Sequence, residues 1–117
     1  MAKYILLLRD NGTYKGISAE EIQHVIARYG AWRKSLGDRI ASASKLRDTE
    51  GRVLKREGSK TVVMDGPYTE TKEIVGGYFV IEADSYDHVI ELSKDCPHFD
   101  FGTIEVRELQ PTPAPTA

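Results

Sequence analysis

A largely apolar ten-residue stretch, residues 74–83, constrains the fold of this chain more than any other stretch. It follows a polar loop that begins with Asp65-Gly66-Pro67, and residues 61–64 before that loop have the composition of a strand. Glycine gives the backbone freedom at this break, and proline fixes its own φ angle and disfavours helical angles at Gly66. The loop is therefore held between two strands, a position where functional residues are common.

Length and composition are those of one soluble domain. The chain has 117 residues, of which 40% are hydrophobic and 29% are charged, and these values are ordinary for a globular domain. The net charge of −2 gives no basic excess, so we expect neither nucleic acid nor a membrane as a partner. The single cysteine allows no intrachain disulfide, and the amino-terminal apolar run is too short to span a bilayer. We therefore expect a cytoplasmic protein.

The first half of the chain predicts a strand, a long helix and a second strand. Residues 4–8 are apolar on both faces of a strand, a pattern typical of a central position in a sheet. Ser18 and Glu21 form a capping box that begins the helix, and Gly37 ends it. The helix carries an apolar stripe at helical spacing, made of Ile22, Val25, Ile26, Tyr29 and Leu36. Residues 40–46 follow as the second strand.

The second half predicts a hairpin, a strand, a helix and a final strand. Residues 52–56 and 61–64 are short strands separated by turn-forming residues. After the strand at 74–83, Asp84 or Ser85 caps a helix that ends near Pro97. Residues 102–109 form a half-polar strand that suits a sheet edge. We expect one domain over residues 1–110 and a disordered Pro-rich tail over 111–117.

This order predicts an α+β fold, a ferredoxin-like βαββαβ sandwich with an inserted β-hairpin. Two helices cover only one face of the sheet, yet the strands at 4–8 and 74–83 are apolar on both faces. We expect Ile5 and Phe79 to lie on the uncovered face, which would expose several hundred Å² of apolar surface in rough terms. The sequence therefore predicts a homodimer that pairs sheet against sheet as a dimeric α/β barrel.

The loop after residue 64 holds the candidate site. Asp65 is the first candidate for a catalytic general base or a ligand acceptor, and Tyr68 is the second candidate catalytic residue. The alternative is that Asp65 accepts hydrogen bonds from nearby backbone N–H groups and shapes the turn. The residues predicted to bind a small polar ligand are Arg9, Glu70, Thr71 and Lys72. The alternative for Arg9 is surface charge, and the alternative for the three loop residues is a solvated loop with mutual ion pairs.

Motifs for common cofactors do not occur in the sequence. It has no Gly-rich phosphate loop, no nucleophile elbow and no His-rich metal motif. Cys96-Pro97-His98 places two soft ligands close together, but no second Cys/His pair completes a zinc site. We therefore predict no metal and no cofactor.

Three segments resemble the YCII-related family, in the branch named for its Asp-Gly-Pro-Phe motif. The resemblance rests on residues 65–73, 76–78 and 102–107 and extends from about Lys3 to Leu109. Tyr68 stands where the name of the branch has Phe. The resemblance implies a ferredoxin-like protomer that pairs through its sheet as a dimeric α/β barrel. It also implies a family with no settled activity.

The resemblance has two further implications. Members of this branch are often encoded beside extracytoplasmic-function sigma factors, which implies a regulatory context. A His–Asp pair has been proposed as the active site in shorter relatives, but the position of His24 does not match that pair. His24 also lies about 200° around the helix from Ile22, off the apolar stripe. We therefore assign it no catalytic role.

Two functions remain open from the sequence. The first is a cofactor-independent enzyme acting on a small polar metabolite in a pocket around Asp65. The alternative is a non-catalytic ligand-sensing or partner-binding module linked to sigma-factor-type transcriptional regulation. Cofactor-free enzymes occur on this fold by analogy alone, so whether the chain is an enzyme is left open.

Overall fold

The computed structural model describes residues 2–12, 16–47, 50–66 and 74–111, which form a mixed α+β fold. Its strands are β1 (Ala2–Asp10), β2 (Ile40–Lys45), β3 (Arg52–Glu57), β4 (Lys60–Asp65), β5 (Ile74–Ala83) and β6 (Gly102–Glu108). Its helices are α1 (Ala19–Leu36) and α2 (Tyr86–Ser93), with short 3-10 turns at Gly37–Arg39 and Pro97–Asp100. The predicted combination of two helices with antiparallel sheets is confirmed. Within these ranges, neither helix has the length and apolar character needed to cross a membrane.

Strands β1, β2, β5 and β6 form one antiparallel sheet in the order β2-β5-β1-β6. This is the strand order of a ferredoxin-like protomer. β1 and β5 lie in the middle, and β6 lies at the edge as its half-polar pattern predicted. Most of the predicted tail, residues 112–117, lies outside the described ranges.

Helix α1 begins and ends where its caps predict. The Ser18 side chain accepts a hydrogen bond from the Glu21 N–H at 3.1 Å, and this bond satisfies one of the unpaired donors of the first turn. Gly37 has a φ of 55° and its N–H donates to the Arg33 carbonyl. Because that φ strains residues with a Cβ atom, glycine is the residue that ends this helix at low cost.

The core lies between the two helices and one face of the sheet. Its fully buried members include Leu6 and Ile81 from the central strands and Val89 from α2. The Trp32 ring packs edge-on against Phe79 with a centroid distance of 5.0 Å, and its Nε1 donates to the Leu92 carbonyl at 2.9 Å. Trp32 therefore joins α1, the sheet and the end of α2.

The prediction that Phe79 lies on the uncovered face is wrong. Phe79 pairs with Leu6 across β1 and β5, and its side chain is 6% exposed in the core. Cross-strand partners share a face of the sheet, so Ile5, Leu7, Tyr78 and Val80 lie on the uncovered face instead. A strand that is apolar on both faces has no pattern that assigns either set to the core.

One member of the predicted α1 stripe is also misplaced. Ile26 is 57% exposed, whereas Val25, Trp32 and Leu36 are buried. The face of α1 that is buried is therefore narrower than the apolar stripe predicted from the sequence.

Strands β3 and β4 pair with each other in a separate two-stranded sheet. Leu54 and Val63 lie opposite each other and are 62% and 59% exposed. A two-stranded sheet is only marginally stable by itself in water. This pair therefore presents an apolar surface that the described residues of the protomer leave open.

Candidate functional site

A cavity of about 310 Å³ lies between α1 and the sheet. Its walls include the apolar residues Leu8, Val25, Ala43, Phe79 and Phe101. Its polar lining consists of Asp10, Tyr29, Arg33, Ser44, Lys45 and His98. An apolar cleft with a few convergent polar groups is the usual form of a small-molecule site.

Two glycines of β5 shape one wall of this cavity. The pairing of β1 with β5 shifts between Leu8 and Arg9, which leaves Gly76 as an extra residue in β5. A Cβ atom on Gly77 would lie 3.0 Å from the Ser44 carbonyl oxygen, so glycine permits the close approach of β2. A Cβ atom on Gly76 would lie 3.8 Å from Asp10 Cβ and Lys45 Nζ, an ordinary contact distance. Gly76 therefore forms a bulge, and Gly77 permits a close backbone approach.

His98 is a buried titratable residue of the cavity wall. Its side chain is 6% exposed, and Nε2 lies 2.7 Å from the Arg9 carbonyl oxygen. A carbonyl oxygen can only accept a hydrogen bond, so Nε2 carries the proton. In the neutral ring the lone pair is therefore on Nδ1. The hydrogen bond therefore selects one neutral tautomer of a ring that belongs to a cavity-lining residue.

Positive charge predominates among the described residues that line the cavity. Arg33 lies over the Phe79 ring, with its guanidinium carbon 5.6 Å from the ring centroid. Lys45 donates from Nζ to the Leu46 carbonyl at 2.7 Å. Asp10 accepts a hydrogen bond from the Gly12 N–H at 2.7 Å. Two cations against one carboxylate favour an anionic ligand or intermediate.

The structure places Asp65 at the end of β4, in solvent. Its side chain is 97% exposed, and Oδ1 lies 3.8 Å from Nη1 of Arg52. The turn beside it is closed by a backbone hydrogen bond from the Gly66 N–H to the Gly51 carbonyl at 2.9 Å. Asp65 does not line the cavity described above. The partners proposed for it, Tyr68, Glu70, Thr71 and Lys72, lie outside the described residues, so the site around Asp65 stays a prediction.

Arg9, the remaining predicted ligand-binding residue, has two roles in the protomer. Its guanidinium lies on the uncovered face of the sheet, where Nη2 contacts Glu105 Oε1 at 2.7 Å and Nε lies 3.1 Å from the same oxygen. Its backbone carbonyl holds His98 on the opposite side. Ligand binding by the Arg9 side chain stays a prediction.

Sequence reasoning missed the residues that converge on this cavity. Asp10 received no functional role from the sequence, Lys45 was placed in the second strand, and His98 was placed in an incomplete metal motif. They come from separate elements and have no fixed spacing, so no local pattern joins them. The signal for His98 in the sequence was the Cys96-Pro97-His98 tripeptide, which was considered only as part of a zinc site.

Nucleophilic catalysis by a cysteine and binding of a metal ion are two other chemistries to compare with the described residues. Burial raises the pKa of the Cys96 thiol to about 11, so this thiol stays protonated and is a poor nucleophile at neutral pH. Within ranges 2–12, 16–47, 50–66 and 74–111, the His, Cys, Asp and Glu side chains form no cluster of three that could hold a metal ion.

Comparisons with known proteins agree with this architecture. An uncharacterised protein of Rhizobium meliloti (strain 1021) is 27% identical over 110 residues, which cover 90% of this chain and 89% of that protein. A solved structure of 5-chloro-2-hydroxyhydroquinone dehydrochlorinase from Burkholderia phenoliruptrix AC1100, in complex with 2,5-dihydroxybenzoquinone, has a TM-score of 0.53. It is 18% identical and the match covers 92% of this chain and 93% of that chain, a likeness that shows the fold alone. The YCII-related domain matches residues 2–112, and the chain therefore belongs to the YCII-related family.

Proposed function

We propose that this protein is a cofactor-independent enzyme that acts on a small polar metabolite in the cavity between α1 and the sheet. The supporting observation is that His98, Asp10 and Lys45 line one partly apolar cavity. An imidazole base transfers protons, and a nearby ammonium stabilises negative charge that develops during the reaction. Together these groups supply acid–base chemistry.

The fold neighbour supports an enzymatic role. The Burkholderia protein is named as a dehydrochlorinase, and its structure holds a ring compound. An enzyme with the same fold is thus consistent with an enzymatic role for this chain. The likeness gives no residue assignment, so the roles proposed here rest on the cavity of this chain.

Ligand-dependent stabilisation tests the cavity directly. Screening small polar metabolites by thermal unfolding should give a compound that stabilises the wild-type protein by about 2.7 kcal/mol at 100 times its Kd. Gly76→Leu should abolish that stabilisation, because the new side chain starts from a Cβ position beside Asp10 and Lys45 and fills the cavity. Mass spectrometry of the incubated ligand then measures turnover.

Asp65→Asn separates the two candidate sites in the same experiment. If the cavity is the site, this exposed substitution should leave both ligand stabilisation and the midpoint of the unliganded protein nearly unchanged. Loss of ligand binding in Asp65→Asn, with retention in Gly76→Leu, would move the site to the loop around Asp65 and Tyr68. If no compound stabilises the wild-type protein, the proposal fails.

We also propose that the protein is a homodimer paired through the uncovered face of the sheet. Ile5, Leu7, Tyr78 and Val80 are half-buried in the protomer and have no helix layer over them. Their apolar side chains would be covered by the same face of a second copy. This pairing is the dimeric α/β barrel that the Asp-Gly-Pro-Phe branch implies.

Ile5→Lys should convert the dimer to monomers. A lysine at this position would bury an unpaired charge in each half of the interface, at a cost of several kcal/mol. Light scattering after gel filtration should give the 13.1 kDa protomer mass for this variant and twice that mass for the wild type. Ile90→Lys is the matched control, since Ile90 is 51% exposed on α2. A folded Ile5→Lys protein that stays dimeric contradicts the pairing.

A partner-binding module is the second candidate function. The exposed Leu54 and Val63 of the β3–β4 pair favour it, because an apolar surface of this kind marks an interaction site. We propose that this pair is a hairpin inserted into the ferredoxin-like plan, between β2 and β5 in the chain. In this case the ligand bound in the cavity would remain unconverted, and the protein would act beside sigma-factor-type regulators in the cytoplasm.

A further inference from the structure

We propose that the β3–β4 pair is a dimer arm, which packs against the β3–β4 pair of a second copy of this chain. The contact is made through the face that carries Leu54 and Val63, which we call the arm face. It adds a second contact to the proposed homodimer, on the same twofold axis as the pairing of the two sheets. It is independent of the cavity and of any reaction there.

The register of β3 with β4 defines the arm face. Cross-strand partners share a face, and so do alternate residues of one strand. The arm face therefore carries Arg52, Leu54, Arg56, Thr61, Val63 and Asp65. Leu54 and Val63 are 62% and 59% exposed, whereas Val53 and Val62 on the other face are half-buried. The arm face is thus the more open of the two faces at its apolar centre.

The size of the uncovered sheet face supports a second contact between the copies. Strands β1, β2, β5 and β6 have 9, 6, 10 and 7 residues, and only every second residue of a strand points to a given face. A stable interface uses about 20–30 residues a side, which is more than this face supplies. A two-stranded sheet also needs an apolar layer over it to be stable. Packing two arms together adds interface area and covers both arms.

The charges of the arm face are complementary to a second copy of the same face. Arg52 and Asp65 are cross-strand partners, with Nη1 and Oδ1 3.8 Å apart. When the twofold axis runs parallel to the strands, β3 of one copy lies over β4 of the other, and Arg52 lies over Asp65 of the second copy. Leu54 then lies over Val63 of the second copy. An axis across the strands would instead place Arg52 over Arg56 of the second copy, and like charges repel. The charges therefore select the parallel axis.

Charge reversal followed by mixing tests the arm contact. Arg52→Glu makes this end of the arm face acidic, and Asp65→Lys makes it basic, so each variant alone places like charges over one another. Because the twofold axis repeats the contact, each variant should raise the dissociation constant of the dimer about tenfold, measured by sedimentation equilibrium over a dilution series. An equimolar mixture of the two variants should return to the wild-type value. Each variant keeps its own like-charge pair within the arm, so recovery on mixing comes only from a contact between copies.

Lys60→Glu is the matched control, because Lys60 pairs with Glu57 on the other face of the arm. It changes the net charge by the same amount as Arg52→Glu and should leave the dissociation constant within about twofold of wild type.

The outcomes separate the arm contact from the pairing of the sheets. If the two charge reversals leave dissociation unchanged, or if mixing gives no recovery, the inference is wrong and the arm face is left to a different partner. The sheet pairing still stands in that case if Ile5→Lys is monomeric. If Ile5→Lys stays dimeric and the charge reversals dissociate the dimer, the arm contact is supported and the sheet pairing is wrong. A wild-type protein that is monomeric throughout the dilution series contradicts both.

Discussion

Trp32→Ala is expected to remove about 3–5 kcal/mol from the free energy of unfolding. The Trp32 side chain is 4% exposed and packs edge-on against Phe79. The substitution leaves a cavity between α1 and the sheet, and the ring contact is lost with it. It also removes the donor to the Leu92 carbonyl, which then lacks the bond that fixes α2 to α1. Urea unfolding followed by circular dichroism measures the change.

Trp32→Phe is the matched control for this prediction. Phenylalanine keeps an aromatic ring against Phe79 and lacks the indole N–H, so its cost should be well under half that of alanine, about 1–2 kcal/mol. If both variants lose less than about 0.5 kcal/mol, Trp32 does not hold the helix layer on the sheet. Equal large losses would instead assign most of the effect to the hydrogen bond with Leu92.

Local signals in the sequence predicted the helices and strands well because the relevant forces act within a few residues. Ser18 caps α1 through its own side chain, Gly37 ends it through a positive φ, and Ser85 caps α2 with a bond to the His88 N–H at 3.1 Å. The strand at 74–83 has the bounds that its apolar composition predicts. Each of these features depends on one residue and its nearest neighbours in the chain.

The faces of the strands and the composition of the cavity depend on long-range packing. Phe79 is assigned to the core only by its register with Leu6, and both faces of β5 have similar apolar content. Asp10, Lys45 and His98 come together because the last residues of β1 and β2 lie at the same end of the sheet, next to the Pro97–Asp100 turn. No spacing rule in the sequence contains that information. The sequence-based site instead followed the most distinctive polar loop, whose residues 67–73 lie outside the described ranges.

Gly102→Ala is expected to be severely destabilising and to disturb His98 at the same time. A Cβ atom at this position would lie 1.7 Å from the Arg9 carbonyl oxygen and 2.8 Å from the Arg9 carbonyl carbon. Those atoms belong to the backbone of the central strand β1, so relief requires β6 and β1 to separate at the Asp10–Gly102 pair. We expect a loss of about 3 kcal/mol or more in the free energy of unfolding, at the upper end of the range for overpacking. Chemical denaturation measures this loss.

Gly76→Ala is the matched control, since Gly76 also lies at the end of a central strand. Its new Cβ would make contacts of 3.8 Å or longer, so the change should be within about 1 kcal/mol and favourable if the loss of unfolded-state entropy dominates. The Arg9 carbonyl that Gly102→Ala displaces is the acceptor for His98 Nε2. Gly102→Ala should therefore also allow the His98 ring to exchange tautomers, which nitrogen-15 NMR detects and which Gly76→Ala should not cause. If Gly102→Ala is as stable as Gly76→Ala, the β1–β6 register is wrong, and the orientation of His98 that depends on it is wrong as well.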